Sequence, residues 1–509
     1  MSGAPANNKW LVTVSIAFGS LMATIDSSIV NVAVPVLRGE LGASITQITW
    51  ISVAYMIAMV LVMPLTGFLG AFFGQKRLYI TSLAVFVAGS ALCGTARSLE
   101  ALILWRVVQG LGGGALQPTQ MAILRQTFPA REQGMAMAVY TMVILIGPAV
   151  GPVLGGWLTD NYSWPWIFYI NLPVGLLGIF MTWRNVHEPE DVRAANRERA
   201  DKQRRNMDWA GIALMTIGVG SLQFFLEEGP QNDWFESGWV TAAGFLAVFG
   251  IAAFIIRELT ATAPVVNLRL FRDRAFAAST LVGMATMAML MGSMFLLPVF
   301  MQELQGLPAT DAGLALLPRT IAMMIVSPLI GRFYNRIGPA TIIAAGVALF
   351  MVGSWQLGHV TALTSTGDLV VPLALTGAGL ACLFVPLATA ALASIPRPLL
   401  ADATGLNNFL RQVAGSVGLT IFATLFTRYA ATARAGLAAQ VSILRPEVHG
   451  NLRGAVIAVA REGTVIGFDR TFLLQAVMFL FLLPLLYFLR ASRAAGSATP
   501  PAAVHVAAE

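Results

Sequence analysis

Charge is what this 509-residue chain has least of. Only 11% of its residues are Asp, Glu, Lys or Arg and 57% are hydrophobic, where an ordinary soluble domain carries about 25% charged residues. Single cores stop growing near about 250–300 residues, so a chain of mean hydropathy +0.72 cannot fold this much apolar surface away from water. Lysine is scarcer still: Lys9, Lys76 and Lys202 are the only three. None follows a glycine, so the phosphate-cradling G-x-x-x-x-G-K-[ST] loop is absent and the chain has no P-loop ATPase of its own. The two cysteines, Cys93 and Cys382, lie in apolar segments and read as packing residues. The four histidines (His187, His359, His449, His505) fall in loops or the tail, which leaves carboxylates to handle protons at membrane depth. No metal-ligand cluster, bound cofactor or catalytic constellation is expected. The net charge of +7 does not point to nucleic acid, because the basic residues sit in short loops between apolar runs. No cleavable signal peptide is evident, since the first apolar run leads straight into others.

Those apolar runs dominate the chain. A spanning helix needs about 20 mostly apolar residues, and the sequence predicts about fourteen, from Trp10–Leu37 and Gln47–Gly70 through to Ala403–Ala430 and Phe472–Arg490. The expected fold is an all-α polytopic membrane protein. Basic residues collect at alternate connections: Lys76 and Arg77, Arg125 and Arg131, Arg184, Arg257, Arg269 to Arg274, then Arg332 and Arg336. By the positive-inside rule that side is cytoplasmic, with both termini. The chain also repeats itself. Pro64-Leu65-Thr66-Gly67, with Gly74 seven residues on, matches Pro328-Leu329-Ile330-Gly331, with Gly338 seven on. Two six-helix bundles and two extra helices explain this most simply. The expected divisions are a first bundle at 1–184, a charged linker at 185–208 and two extra helices at 209–257. A second bundle follows at 258–490, with a long outer loop at 432–469, and a disordered tail at 491–509.

Ionisable groups at membrane depth are costly and functional by default. Asp26, in the first run, reads as a proton acceptor facing a central cavity; the plainer alternative is a structural ion pair. Burial favours the neutral form of a carboxyl and a neighbouring cation the charged form. In the fourth run Arg106, Gln109, Gly110, Gly113 and Gln117 share one helical face. Arg106 cannot shed its proton, so it would bias a carboxylate or tether helices; spacing alone does not name its partner. Asn31, Asn408, Arg411 and Gln412 are further cavity-lining candidates, and Glu227 is either another or a solvated helix end. Gly147, Gly151 and Gly155 recur every four residues, beside Pro148, Pro152 and Gly156. Small seams let helices approach closely and prolines bend them, which suggests a specialised bend that controls leakage.

These motifs resemble the major facilitator superfamily, and within it the 14-helix drug:proton antiporter branch of QacA/EmrB type. Ile25–Pro35 is similar to that branch's first-helix signature, and Leu104–Gly110 to its fourth-helix motif, whose arginine is implicated in proton coupling. Gly147–Gly156 resembles the antiporter motif. Trp164–Gly175, Ser221-Leu222-Gln223 with Glu227 and Trp234, and Asn408–Arg411 resemble EmrB-like segments. In the gating loop, Gly67, Gly74, Lys76 and Arg77 match the family pattern, as do Gly331, Asn335, Arg336 and Gly338 in the second copy. Ala71 and Phe72 depart from it, standing where Asp-Arg is usual. The resemblance implies proton-gradient-driven export of lipophilic or amphipathic compounds across the bacterial inner membrane by alternating access, with the lipid bilayer as surroundings. It also implies a periplasmic membrane-fusion adaptor with an outer-membrane channel, docking at 432–469. An uptake symporter or a non-transporting sensor or scaffold are the alternatives; the helix-5 seam weighs against the first and the buried charges against the second.

Overall fold

The computed structural model describes residues 8–129, 131–188, 190, 192–194, 196, 208–261, 264–307, 309–361, 363–441, 452–481 and 484. Among them there is no strand, as expected where no water can satisfy an open sheet edge. The long helices are α1 (Lys9–Leu41), α2 (Ile45–Val62, continued by a 3₁₀ turn into Thr66–Phe73), α3 (Gln75–Gly94), α4 (Leu99–Thr127), α5 (Gln133–Asn161) and α6 (Asn171–Asn185). Then come α7 (Trp209–Glu228), α8 (Gly238–Thr260), α9 (Arg274–Val299), α10 (Leu317–Ile337), α11 (Pro339–Leu357), α12 (Val370–Ala391), α13 (Leu400–Gln440) and α14 (Leu452–Leu480). Among the described residues twelve segments, which lie on all of these but α4 and α5, are long and apolar enough to cross a membrane. The remaining two, α4 and α5, are 29 residues each and carry the polar and Gly-Pro motifs.

Local chemistry sets several boundaries. Ser44 and Gln47 form a reciprocal capping box at α2, and Ser98 and Asp273 cap α4 and α9. Asp208 caps α7 through the Gly211 N–H at 2.9 Å and accepts from Arg257 of α8 at 3.0 Å, which ties the extra pair together at its base. Gly74 and Gly338 both adopt positive φ, 86° and 90°. A residue with a Cβ is strained there, so the two halves turn their second helix into their third by the same device.

The same packing order recurs in both halves. In α1–α6 the first helix packs on the fifth, the second on the fourth, and the third on the fourth and sixth; α9–α14 repeat those pairings. This is the two-bundle arrangement the repeat predicts. The extra pair, α7 and α8, packs together, and α7 rests on both α2 and α13. Outward faces are apolar: Phe245, Val248, Phe249 and Ile256 on α8 are all exposed. A soluble protein does not expose patches of this kind; lipid covers them.

The stretch expected as an outer loop at 432–469 is helical where it is described: α13 runs unbroken for 41 residues to Gln440 and α14 starts at Leu452. At 1.5 Å per residue α13 is about 62 Å long, about twice the hydrocarbon thickness. The two helices stay paired beyond the expected span, where Arg434 Nη2 donates to Thr464 Oγ1 at 2.6 Å. Arg453, Arg461, Asp469 and Arg470 lower the local hydropathy, but the Ala-rich composition still favours helix. Residues 442–451, most of the linker expected at 185–208 and the tail expected at 491–509 lie outside the described residues.

Candidate functional site

Asp26 sits near the middle of α1, about 23–26 Å from either helix end. It is 0% exposed and Arg106 of α4 is 1% exposed. Arg106 Nη1 donates to Asp26 Oδ2 at 2.6 Å, to Gln109 Oε1 at 2.8 Å, and its Nε donates to the Ile51 carbonyl of α2 at 3.1 Å. Its guanidinium carbon lies 4.1 Å from the centre of the Tyr55 ring, a cation–π contact. On the other side Asp26 Oδ1 accepts from Gln109 Nε2 at 2.8 Å and Asn171 Nδ2 at 3.1 Å. Asn171, the first residue of α6, also donates to Ser90 Oγ of α3 at 3.0 Å. The arginine whose partner spacing could not name thus pairs with Asp26. Every partner belongs to the first bundle, and in this conformation the carboxylate is enclosed by that bundle and does not face a cavity between the two.

All three side chains that touch Asp26 donate. A proton arriving on the carboxyl makes one oxygen a donor, and Gln109 and Asn171 can each rotate an amide to present its oxygen. The site therefore has ready partners for both protonation states. Asn171, Ser90 and Tyr55 were not singled out from sequence. Asn171 does lie in the Trp164–Gly175 segment, and Ser90 and Tyr55 look like any small or aromatic helix residue.

The glycine seam of α5 lies against the same stretch of α1. A Cβ on Gly147 would meet Thr24 Oγ1 at 2.3 Å, one on Gly151 would meet Ser28 Oγ at 1.8 Å, and one on Gly155 would meet Ile29 Cγ1 at 2.9 Å. Ser28 Oγ also donates to the Gly147 carbonyl at 2.9 Å. These contacts bracket Asp26, so the seam carries the helix that holds the carboxylate. Gly156 faces open space and is not part of the seam. Pro148 and Pro152 are in helical backbone, and their side chains lie outside the described residues.

At the end marked by Gly74 and Gly338 the bundles meet in two related contacts. Gly67 abuts Asp402 at the start of α13, where a Cβ would fall 1.8 Å from Oδ1 and 2.7 Å from the Asp402 Cα. Gly331 abuts Gly134 and Ala138 of α5, with the Gly134 carbonyl 3.0 Å from where a Cβ would stand. Arg125 Nη2 donates across to the Thr389 carbonyl of α12 at 3.0 Å. Ala71, one turn beyond Gly67, is buried, and the carboxylate at this junction comes from Asp402 of the opposite bundle. Gly67→Ala is expected to push the bundles apart here, because the clash is with backbone. Spin labels at Arg77 and Arg336 should then show a longer distance in the substrate-free protein, and an unchanged distance rejects a closing role for this contact. Lys76 donates from its backbone N–H to Glu188 Oε1 at 2.7 Å and from Nζ to the Trp183 carbonyl at 2.6 Å. Arg77 and Arg336 are exposed, and the Asn335 side chain is outside the described residues.

The remaining candidates are dispersed. Asn408 donates to the Thr404 carbonyl at 2.9 Å and contacts Met121 Sδ of the first bundle at 3.8 Å. Arg411, Gln412 and Gln117 are half-buried, and the Asn31 side chain is outside the described residues. Glu227 accepts from Gln223 at 3.1 Å, and Gln223 also donates to Ser416 of α13 at 2.9 Å. Glu227 is therefore a half-buried residue of the α7–α13 contact, away from Asp26. Among the described residues no group of His, Cys, Asp and Glu is arranged to hold a metal.

Comparison with known proteins agrees with this architecture. The family model described as Major Facilitator Superfamily matches residues 16–419. The fatty acid resistance protein FarB of Neisseria gonorrhoeae is 33% identical over 94% of this chain and 95% of its own. The multidrug export protein EmrB of Escherichia coli (strain K12) is 33% identical over 96% of each. Among solved structures, the human organic anion transporter MFSD10 superimposes with a TM-score of 0.64 at 15% identity, covering 94% of this chain and 99% of that one. The proton:xylose symporter XylE gives 0.60 at 12%, covering 96% and 100%; both likenesses speak to the fold alone. A buried carboxylate–arginine pair within two repeated six-helix bundles, with relatives matched nearly end to end, places this chain in the major facilitator superfamily, among its EmrB-like members.

Proposed function

We propose that the chain is a proton-coupled antiporter that exports lipophilic or amphipathic compounds across the bacterial cytoplasmic membrane by alternating access. The observation that carries this reading is the Asp26–Arg106 pair, sealed near the middle of α1 and flanked by amides that serve either protonation state. FarB and EmrB are named for resistance and export, which supports the outward direction. The end with Lys76, Arg77 and Arg336 is then cytoplasmic, and the contacts there close the inner side. In this scheme Asp26 takes a proton in the outward-open state and releases it inside, and Gly147–Gly155 pass the resulting shift of α1 to α5. The paired extension of α13 and α14 lies on the outer side and would be the surface that a periplasmic adaptor engages.

The test is direct. In proteoliposomes with an imposed pH gradient, a lipophilic fluorescent dye should move against the proton flow, and reversing the gradient should reverse the dye. Movement of dye and protons in the same direction would identify a symporter.

A further inference from the structure

The two bundles repeat each other closely enough to be matched residue by residue. Tyr55 and Arg319 each stand nine residues before the proline of the repeated Pro-Leu-x-Gly. Gly110 of α4 abuts the Tyr55 carbonyl, and Gly377 of α12 abuts the Arg319 carbonyl. Gly89 of α3 abuts the backbone of Gln109, and Gly353 of α11 abuts that of Thr376. Gly94 abuts the Tyr169 ring, and Gly358 abuts Leu473 of α14. Arg319, Ser354, Thr376 and Gln475 therefore hold in the second bundle the places of Tyr55, Ser90, Gln109 and Asn171, the residues gathered around Asp26 and Arg106 in the first.

The charges of the matched site are different. Leu373 stands where Arg106 does, three residues before the match of Gln109, and the cation comes from α10 instead. Arg319 is 5% exposed. It donates from Nη2 to Ser293 Oγ of α9 at 2.7 Å and from Nε to Thr376 Oγ1 at 3.4 Å. Among the described residues no carboxylate meets it. Ser90 and Asn171 bond each other in the first bundle, but Ser354 Oγ and Gln475 Oε1 are buried without a hydrogen-bond partner. Gln475 Nε2 reaches the Met289 carbonyl of α9 only at 3.5 Å. A buried charge with neutral partners alone is destabilising, and so is a buried polar atom left unbonded. An arginine cannot escape by losing its proton. A small anion answers these needs: it supplies the countercharge that Asp26 supplies to Arg106. It accepts from the guanidinium and from the hydroxyls of Ser293 and Ser354, and the Gln475 amide can turn its nitrogen to it. Arg319, Ser293, Ser354 and Gln475 are each at most 5% exposed, which excludes an organic anion with an apolar body and leaves an ion of chloride size.

We infer that the second bundle binds a chloride ion at Arg319, Ser293, Ser354 and Gln475, as a resident countercharge and not as cargo. The site stands whichever way the protein transports. The full-length protein in nanodiscs, in gluconate buffer, is titrated with radioactive chloride. Wild type should show one saturable class of sites. Arg319→Gln should abolish that binding. Ser354→Ala should weaken it by about tenfold or more, the loss expected for a hydrogen bond to a charged group. Ser279→Ala is the control: Ser279 Oγ is also buried without a partner, but it lies fourteen residues before Ser293 on α9, about 21 Å along the helix. Its chloride affinity should equal that of wild type. A ligand that binds only the folded state stabilises it, so exchanging gluconate for chloride should raise the melting temperature of wild type and leave that of Arg319→Gln where it was. Wild type that binds no chloride saturably, or variants at Arg319 and Ser354 that bind it as tightly as wild type, would overturn the proposal.

Discussion

Replacing Asp26 with Asn is expected to abolish gradient-driven dye extrusion in inverted membrane vesicles. Asn keeps the size of the side chain and can still accept from Gln109 or Asn171, but it cannot take up and release a proton. It also leaves Arg106 buried without its countercharge, and removing one member of a buried pair typically costs about 3–5 kcal/mol. Lower thermal stability should therefore accompany the loss of coupling. The two effects separate through passive exchange: a folded Asp26→Asn protein should still equilibrate dye down its own gradient, with no response to pH. Extrusion that still follows the pH gradient in this variant would remove Asp26 from the coupling scheme. Arg106→Lys is the informative companion. A point charge keeps the ion pair but loses the planar fork that reaches Asp26, Gln109 and the Ile51 carbonyl together.

The second large effect is expected at Gly151. A single methyl there falls 1.8 Å from Ser28 Oγ and 2.9 Å from Ser28 Cβ, and overpacking of this kind costs about 1–3 kcal/mol. Gly151→Ala should separate α5 from α1 beside Asp26 and reduce extrusion by about tenfold or more, which is the rate equivalent of about 1.4 kcal/mol. Ser28→Ala removes the closest atom, so the Ser28→Ala/Gly151→Ala double variant should recover part of the activity. Gly156→Ala is the control, because nothing stands within 4 Å of the added atom, and it should behave as wild type. If Gly151→Ala and Gly156→Ala were equally active, close contact along the seam would not be what the antiporter motif provides.

Much of this site was legible in the residues themselves, for a physical reason. Asp26 and Arg106 stand out because charge in a lipid-spanning segment is rare and costly. The seam stands out because glycine every fourth residue marks one face of a helix. Their partnerships were not legible. Spacing reports which residues share a helix face, but not which helix that face meets, so the Asp26–Arg106 pair and the fit of Gly151 on Ser28 needed three dimensions. Asn171 and Ser90 escaped because a small polar residue in an apolar helix has no pattern of its own; its hydrogen bond can as easily go to its own backbone. Glu227 was ambiguous at a helix end and proved to belong to the α7–α13 contact. The segment at 432–469 was misread because hydropathy tells membrane from water, not helix from loop. Its charges lower the hydropathy, and the described parts of it are nonetheless helical.

The departure at Ala71 also has a physical account. The usual acidic residue of that loop is absent, yet a carboxylate is still at the junction, supplied by Asp402 from the other bundle against Gly67. The contact at this end thus spans both bundles, and its chemistry is not confined to the loop.

Under the proposed coupling, binding of substrate drives the proton off Asp26. Purified protein in weakly buffered solution with a pH-indicator dye tests it most directly. Adding a saturating lipophilic substrate to wild type should release protons into solution, and adding it to Asp26→Asn should release none, although the substrate still binds. Equal proton release from both proteins would show that Asp26 does not carry the exchanged proton.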